Sequence, residues 1–249
     1  MINISLQSEY IASVFGTLIT NTFLTSVLVT LLLSLLAVIF YFKRGKDKNF
    51  IVNGLRVLIY ELLKLTDAVT GNRNLSKKVL PLIATFFLFI VSANLLALIP
   101  GFLGSFFVAT PSEKIPLLRS PNSDLTTTLS LALFSVASIQ FFSLRSLGIK
   151  RYLGRFLNFT NPIKFILGFF EIISESVKIL SFSFRLFGNI FAGEVLLMVI
   201  AFLIPYVIPL PFMILEIFVG IIQAFIFAAL TLTFIKTSTV RHLNKVEDA

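Results

Sequence analysis

The chain has 249 residues, 57% apolar and 13% charged, with net charge +9, 29 Phe, one His and neither Cys nor Trp. Soluble domains run nearer half apolar and a quarter charged, so an ordinary cytosolic domain, a disordered chain and a coiled coil are excluded. Without Cys there is no disulfide framework, zinc–thiolate site or thiol catalysis, and the lone His242, in a polar C-terminal tail, cannot build a multi-histidine metal site.

Charge-free runs cover residues 10–42, 79–112, 125–144, 195–215 and 217–235. About 20 residues at ~1.5 Å per residue cross a ~30 Å hydrocarbon core, so these runs mark an integral membrane protein. The basic residues sit between them: nine in 43–78, five in 145–164 and three in the tail, against two (Lys114 and Arg119) in the loop 100–123. Basic residues gather on the cytoplasmic side, which predicts an external N-terminus, a cytoplasmic C-terminus and five crossings. The same distribution makes the positive charge a topology signal and excludes a nucleic-acid partner. The stretch before the first run carries Glu9 and no Lys or Arg, opposite to the basic start of a signal peptide.

In chain order, the pattern predicts one membrane domain over 1–249, opening with an external segment, 1–20, and a first spanning helix, 21–42, ended by Lys43-Arg44-Gly45-Lys46. Over 50–70, Asn53, Arg56, Tyr60, Lys64 and Asp67 recur every three or four positions, with aliphatic residues on the other side. Such a stripe suits a helix lying along the membrane interface, or one capping other helices from the aqueous side. A spanning helix over 79–99 has Pro81 near its start and Pro100-Gly101 at its end. Another, over 124–144, follows Pro121-Asn122-Ser123-Asp124, where Ser123 or Asp124 can cap the free backbone donors. From 161 to 204 runs mostly apolar sequence with no internal proline beyond Pro162. A helix of that length, ~65 Å, must be broken, emergent or steeply tilted. Pro205, Pro209 and Pro211 mark a turn; a last helix over 212–236 returns to the basic side, and 237–249 form the cytoplasmic tail. The fold class is therefore an all-α integral membrane protein.

Beyond Lys164 at its start, five ionisable groups interrupt the 161–204 segment (Glu171, Glu175, Lys178, Arg185 and Glu194), and Glu216 interrupts the last helix. At membrane depth an Arg or Lys costs about 2.5–3.5 kcal/mol on insertion scales, so such groups must face protein or water and mark an ion path by default. Glu171, Lys178 and Arg185 are spaced by seven and share a face, with Ser174, Ser181 and Asn189 on the same stripe. Glu171, Glu175 and Lys178 either line that path or merely neutralise one another at i,i+3 and i,i+4 spacing. Arg185 is too deep to snorkel and cannot shed its charge. Glu194, nine residues beyond Arg185, falls on the opposite helix face about 13 Å along. Antiparallel pairing around residue 207 brings it opposite 216–223, so that Glu194 and Glu216 line one aqueous pocket near the outer side.

The run Ser181-Phe182-Ser183-Phe184-Arg185-Leu186-Phe187-Gly188-Asn189-Ile190-Phe191-Ala192-Gly193-Glu194 closely resembles the hallmark motif of subunit a of the F-type ATP synthase membrane sector. Asn94-Leu95 with Pro100-Gly101, Pro121 to Leu129, and Ile221 to Phe227 resemble three further family segments, so the likeness spans roughly residues 80–236. The resemblance implies a non-catalytic stator subunit with a tilted C-terminal hairpin, pressed against a rotating ring of c subunits and joined to peripheral-stalk b subunits. Two offset aqueous half-channels would carry protons to and from a ring carboxylate. Arg185 matches the family's essential arginine, Asn189 and Gln223 match polar neighbours, and Glu194 matches the outer half-channel carboxylate. Glu216 occupies a family position often held by His or an acid. Glu171, Glu175, Lys178, Ser181, Asn94 and Asp124 are further candidates for half-channel lining. The bacterial form of the family implies the plasma membrane with its lipid, and no cofactor is expected.

Thr126 departs from the family's usual asparagine, Phe182 and Phe184 stand where smaller or aliphatic residues are common, and Ala97 stands where some members carry an acid. The chemistry is consistent with the resemblance: a fixed guanidinium can ionise a passing carboxylate without relaying protons itself. A secondary transporter or ion channel would use the same buried charges, but the chain lacks the internal repeats and broken helix pairs of that class. A plain membrane anchor would need none of them. No nucleotide-binding loop is present.

Overall fold

The computed structural model describes residues 10–14, 17–43, 50–98, 107–109, 114–116, 119–156, 162–204 and 207–240. The tail with His242, most of the 100–118 loop with Pro100-Gly101, the basic stop after Lys43, and Asn161 and Pro205 lie outside them.

Among the described residues there are seven α-helices: α1 (Asn21–Lys43), α2 (Phe50–Thr70), α3 (Arg73–Ala97), α4 (Leu125–Leu147), α5 (Ile149–Phe156), α6 (Pro162–Leu203) and α7 (Pro209–Val240). Two short antiparallel ribbons accompany them, β1 (Tyr10–Val14) with β2 (Thr17–Thr20), and β3 (Phe107–Ala109) with β4 (Lys114–Pro116). Open ribbon edges leave backbone groups unpaired, which hydrocarbon does not tolerate, so both belong to the watery margins. The protein is an all-α membrane protein, with five helices (α1, α3, α4, α6 and α7) long and apolar enough to cross a bilayer.

Helix boundaries follow capping chemistry more than hydropathy. α3 begins at Arg73, six residues before the apolar run, because the Asn72 side chain accepts from the backbone N–H groups of Asn74 and Leu75. Pro81 consequently lies inside the helix rather than at its start. Gly71, at φ +67°, supplies the left-handed corner between α2 and α3. Thr70 and Ser76 share a hydroxyl hydrogen bond of 2.7 Å across that corner, and Arg73 pairs with Asp67. α4 is capped by Asp124, which accepts from the Thr126 N–H at 2.9 Å, after a 3-10 turn over Pro121–Ser123. α7 starts at Pro209, ahead of the apolar run at 212, since proline fits the first helical turn, whose N–H groups have no acceptor. The short α5, in the basic connection after α4, has no counterpart in the pattern reading. Its Tyr152 hydroxyl reaches Gln140 of α4 at 3.0 Å.

α6 is unbroken over 42 residues, ~63 Å of helix, and α7 runs back antiparallel against it. This hairpin packs on α3 and α4. Phe227 of α7 lies at the centre, its ring 5.3 Å from that of Phe86 (α3) and 5.1 Å from that of Phe182 (α6). Ala132, Ala224 and Ala228 are buried around it, letting the helices approach closely. Hydroxyl pairs tie the bundle at Thr128–Ser183 (3.2 Å) and Ser135–Thr231 (2.8 Å). α2 lays Val52, Leu62 and Thr66 inward and keeps Arg56, Tyr60 and Lys64 exposed. Most of α1 faces outward, with Phe23, Leu31, Leu35 and Val38 exposed.

Lipid solvates apolar side chains as well as a protein core does, so stability here rests on fit rather than on escape from water. Phe227→Ala should cost about 3 kcal/mol, near the low end for deleting a buried ring, and lower the thermal midpoint in detergent. Leu35→Ala, on the outward face of α1, should leave the midpoint within a degree or two; thermal aggregation of the two purified variants checks both.

Candidate functional site

The helical period separates the intramembrane charges into three groups. Successive residues turn by about 100°, so nine steps from Arg185 to Glu194 amount to about two and a half turns, which puts them on opposite faces. Arg185 is accordingly exposed on the outer face of α6, while Glu194 is buried against the bundle.

On the outer face, the Arg185 guanidinium donates to the Ser181 hydroxyl one turn earlier at 3.3 Å. Among the described residues it has no carboxylate partner. Val177, Leu180 and Phe184 of α6 are exposed around it. One turn further, exposed Asn189 donates to Gln223 of α7 at 2.8 Å, and Gln223 is itself buried. The arginine motif and the glutamine run thus meet across the hairpin.

On the inner face, Glu194 is 7% exposed and forms an ion pair with Arg119, 8% exposed, at 3.5 Å from Nε to Oε2. Ser123 lies beside this carboxylate, its hydroxyl donating to the Ser120 carbonyl. Glu216 of α7 lies near enough to feel the charge of Glu194. Its carboxylate rests on the bare backbone of Gly193: a Cβ at that position would sit 2.6 Å from Glu216 Oε1. The hairpin therefore juxtaposes the two acids as antiparallel pairing requires, and a glycine makes the notch that admits the second one. Just beside them, Asn122 donates to Asn94 at 2.7 Å, and Asn94 donates to the Gly220 carbonyl at 3.1 Å. This links the 119–124 turn, α3 and α7 through one buried chain of amides. Gly220 gives it room: a Cβ there would sit 3.1 Å from Asn94 Cβ, so Asn94 would have to shift by a few tenths of an ångström. Asp124 points to α1 instead, accepting from the Thr22 hydroxyl at 3.1 Å while it caps α4.

The third group lies towards the start of α6. Lys178 donates to Glu175 at 2.7 Å and stands 5.0 Å from the ring centre of Phe234 on α7. Glu171 is half-buried one turn before Glu175. A heptad falls ~20° short of two full turns, so a stripe of sevens drifts round the helix. That drift is small over one heptad, and Lys178 is half-buried against Phe234 of α7 while Arg185 is exposed. Sixteen residues separate Lys178 from Glu194, ~24 Å of helix, so this group and the acid pair occupy opposite ends of α6.

Arg119 is the residue that pattern analysis missed. It counted only as one of two basic residues in the external loop, although a lone Arg two residues before Pro121 was the available signal. Asn122 and Ser123, whose local role as turn residues was legible, also reach partners that spacing along one helix cannot disclose. The described residues contain no cluster of three or more His, Cys, Asp or Glu able to hold a metal ion.

The family profile described as ATP synthase A chain matches residues 23–236. An ATP synthase subunit a from Moorella thermoacetica is 33% identical over 78% of this chain and 81% of that protein. One from Campylobacter jejuni is 32% identical over 84% of this chain and 87% of its own. Another, from Nitrosospira multiformis, is 30% identical over 79% and 69%. The matched span takes in the outward arginine, Glu194, Glu216 and nearly all of the five apolar helices, and the chain belongs to the ATP synthase A chain family as a multi-pass integral membrane subunit.

Proposed function

We propose that this chain is the proton-translocating stator subunit of the F-type ATP synthase membrane sector. In this reading two offset aqueous half-channels meet a rotating ring of c subunits along α6 and α7, and proton flow drives rotation. The observation that carries it is Arg185: a permanent charge on an outward helix face whose exposed neighbours Val177, Leu180, Ser181, Phe184 and Asn189 are uncharged, with no carboxylate partner among the described residues. Such a charge is stable in hydrocarbon only if something outside the chain answers it. A ring carboxylate passing that face would do so. Arg185 would draw it into its ionised form and, because a guanidinium does not release its proton, would stop protons passing straight between the half-channels. Asn189 and Gln223, bonded to each other beside it, would hold the two helices at the spacing the passing carboxylate needs.

Glu194 and Glu216 would form the outer half-channel, reached from the side of the 119–124 turn and joined there by Asn94. Glu171, Glu175, Lys178 and Ser181 would border the inner one. Nucleotide chemistry would belong to other subunits, and peripheral-stalk b subunits would hold this chain against the torque of the ring. The orientation proposed is an external N-terminus and a cytoplasmic C-terminus in a bacterial plasma membrane. A cysteine at position 110 should then be labelled by an impermeant reagent from outside only, and a reporter after Ala249 should be active in the cytoplasm. Labelling of position 110 solely from the cytoplasmic side would reverse the topology.

In inverted vesicles, assembled Arg185→Ala should abolish ATP-driven proton pumping and permit passive leakage under an imposed potential. Arg185→Lys should lose most pumping too, since Lys lacks the planar fork and gives up its proton more readily. Near-normal coupled pumping by assembled Arg185→Ala would sink the proposal.

Glu194→Gln and Glu216→Gln should each slow pumping without leakage, and Gly193→Ala should mimic Glu216→Gln by displacing its carboxylate from the notch. Pumping rates normalised to the amount of chain in the membrane check this. A full rate in the Glu194→Gln, Glu216→Gln double variant would remove both acids from the path.

A further inference from the structure

A polar turn belongs at a surface, where water can answer its backbone and side chains. Residues 119–123 form such a turn, yet all five are buried, Ser120 at 2% exposure and Asn122 and Ser123 at 0%. The Pro121–Ser123 segment packs on α1, α3, α4 and α6. Its place is beside the acids. Arg119 stands 3.5 Å from Glu194, and Ser123 lies next to the same carboxylate, so Ser120 is held between two residues that flank Glu194. Asn122 is tied through Asn94 to the carbonyl of Gly220, one turn of α7 beyond Glu216.

The polar atoms here divide into two sets. Some hold the fold: Ser123 donates to the Ser120 carbonyl at 2.9 Å, and Asn122 donates to Asn94 Oδ1 at 2.7 Å. The second bond has a fixed sense, because Asn94 already uses its own amide N–H on Gly220. Asn122 therefore presents Nδ2 to Asn94 and its Oδ1 elsewhere. That Oδ1, the Ser120 hydroxyl and Glu216 Oε2 form the other set, buried oxygens with no hydrogen-bond partner among the described residues. Buried polar atoms are rarely left so, and a water molecule with two to four polar partners is the common remedy. A sodium ion would also suit oxygen ligands, but the guanidinium beside Glu194 repels a second cation.

We propose that Ser120 and Asn122 hold an ordered water at the inner end of the outer half-channel, through which Glu216 exchanges its proton. This deepens the half-channel reading and rests on it. The Ser120 hydroxyl donates to the water, and the water donates to Asn122 Oδ1 and to ionised Glu216. A proton arriving from outside joins the water oxygen while another leaves it for Glu216; the reverse sequence returns it. Ser120 and Asn122 are positioning residues, fixing the water without exchanging protons with the acid. At Ser120 this role separates from a structural one. Its carbonyl shapes the turn and its hydroxyl makes no bond to the described residues, so losing the hydroxyl alone relieves the fold of an unmet group.

The test combines ATP-driven pumping in inverted vesicles carrying the assembled complex, normalised to chain content, with the thermal midpoint of this chain in the purified complex. Ser120→Ala should cut the rate about fivefold, as losing one hydrogen bond does, while the midpoint stays level or rises. Asn122→Ala should lower both, since it also breaks the bond to Asn94. In a Glu216→Gln background Ser120→Ala should add no further loss. A parent-like rate in either alanine variant overturns the proposal, as does an independent further loss in the double variant. So does a Ser120→Ala chain that fails to accumulate or melts lower, because its hydroxyl is then a structural contact. A parent rate that follows sodium concentration at constant ionic strength overturns it too, the oxygens then binding the ion itself. Glu216→Gln alone separates the two levels: a full rate removes the half-channel reading, whereas a slow rate beside a normal Ser120→Ala removes only the water.

Discussion

A charge in hydrocarbon must be answered, and the way each one is answered organises this molecule. Glu194 is met from within, by a guanidinium delivered from a loop. Lys178 is met by Glu175 on its own helix and by the ring of Phe234. Arg185, on the opposite face of α6 from Glu194, is met by a serine hydroxyl and otherwise faces outward. One long helix therefore carries both a closed, internally neutralised cluster and an open, unneutralised cation. The proposed division between a proton path inside the subunit and a partner carboxylate outside it rests on that difference.

Holding these groups in register is a packing problem. Among helices in lipid, burial of apolar surface supplies little net drive, so close approach and buried hydrogen bonds matter more. The small residues Ala93, Ala132, Gly220, Ala224 and Ala228 are all buried where α3, α4, α6 and α7 meet. The amide chain from Asn122 through Asn94 to the Gly220 carbonyl then spans three separate elements. Each bond in it satisfies a buried polar group, so sliding one helix past another would leave several unpaired at once. The same chain ends beside the acid pair, which makes the geometry of the site and the stability of the bundle parts of one arrangement.

Much of this was legible in the residues alone. Apolar runs bounded by basic clusters gave the five long helices, and the period of 3.6 put Arg185 and Glu194 on opposite faces of α6. The proline-marked turn made Glu216 a neighbour of Glu194. These deductions succeed because membrane thickness and helical pitch are fixed lengths, so distance along one helix converts directly into distance and angle. Where local side-chain chemistry competes with hydropathy, the boundaries moved: Asn72 starts α3 ahead of its apolar run, and Pro209 starts α7 ahead of residue 212.

Contacts between separate elements were decided by tertiary structure. Nothing in the spacing of the chain tells that Arg119 meets Glu194, 75 positions further along. Nor does it tell that Asn94 bonds to Gly220, or that Gly193 is small because Glu216 lies on it. A loop has no period from which direction can be read, and two helices share no common reference angle until they pack. The sequence by itself determined which charges lie at membrane depth and which face of its own helix each occupies. Only the folded bundle decided which of them is neutralised at home and which, among the described residues, has no carboxylate partner.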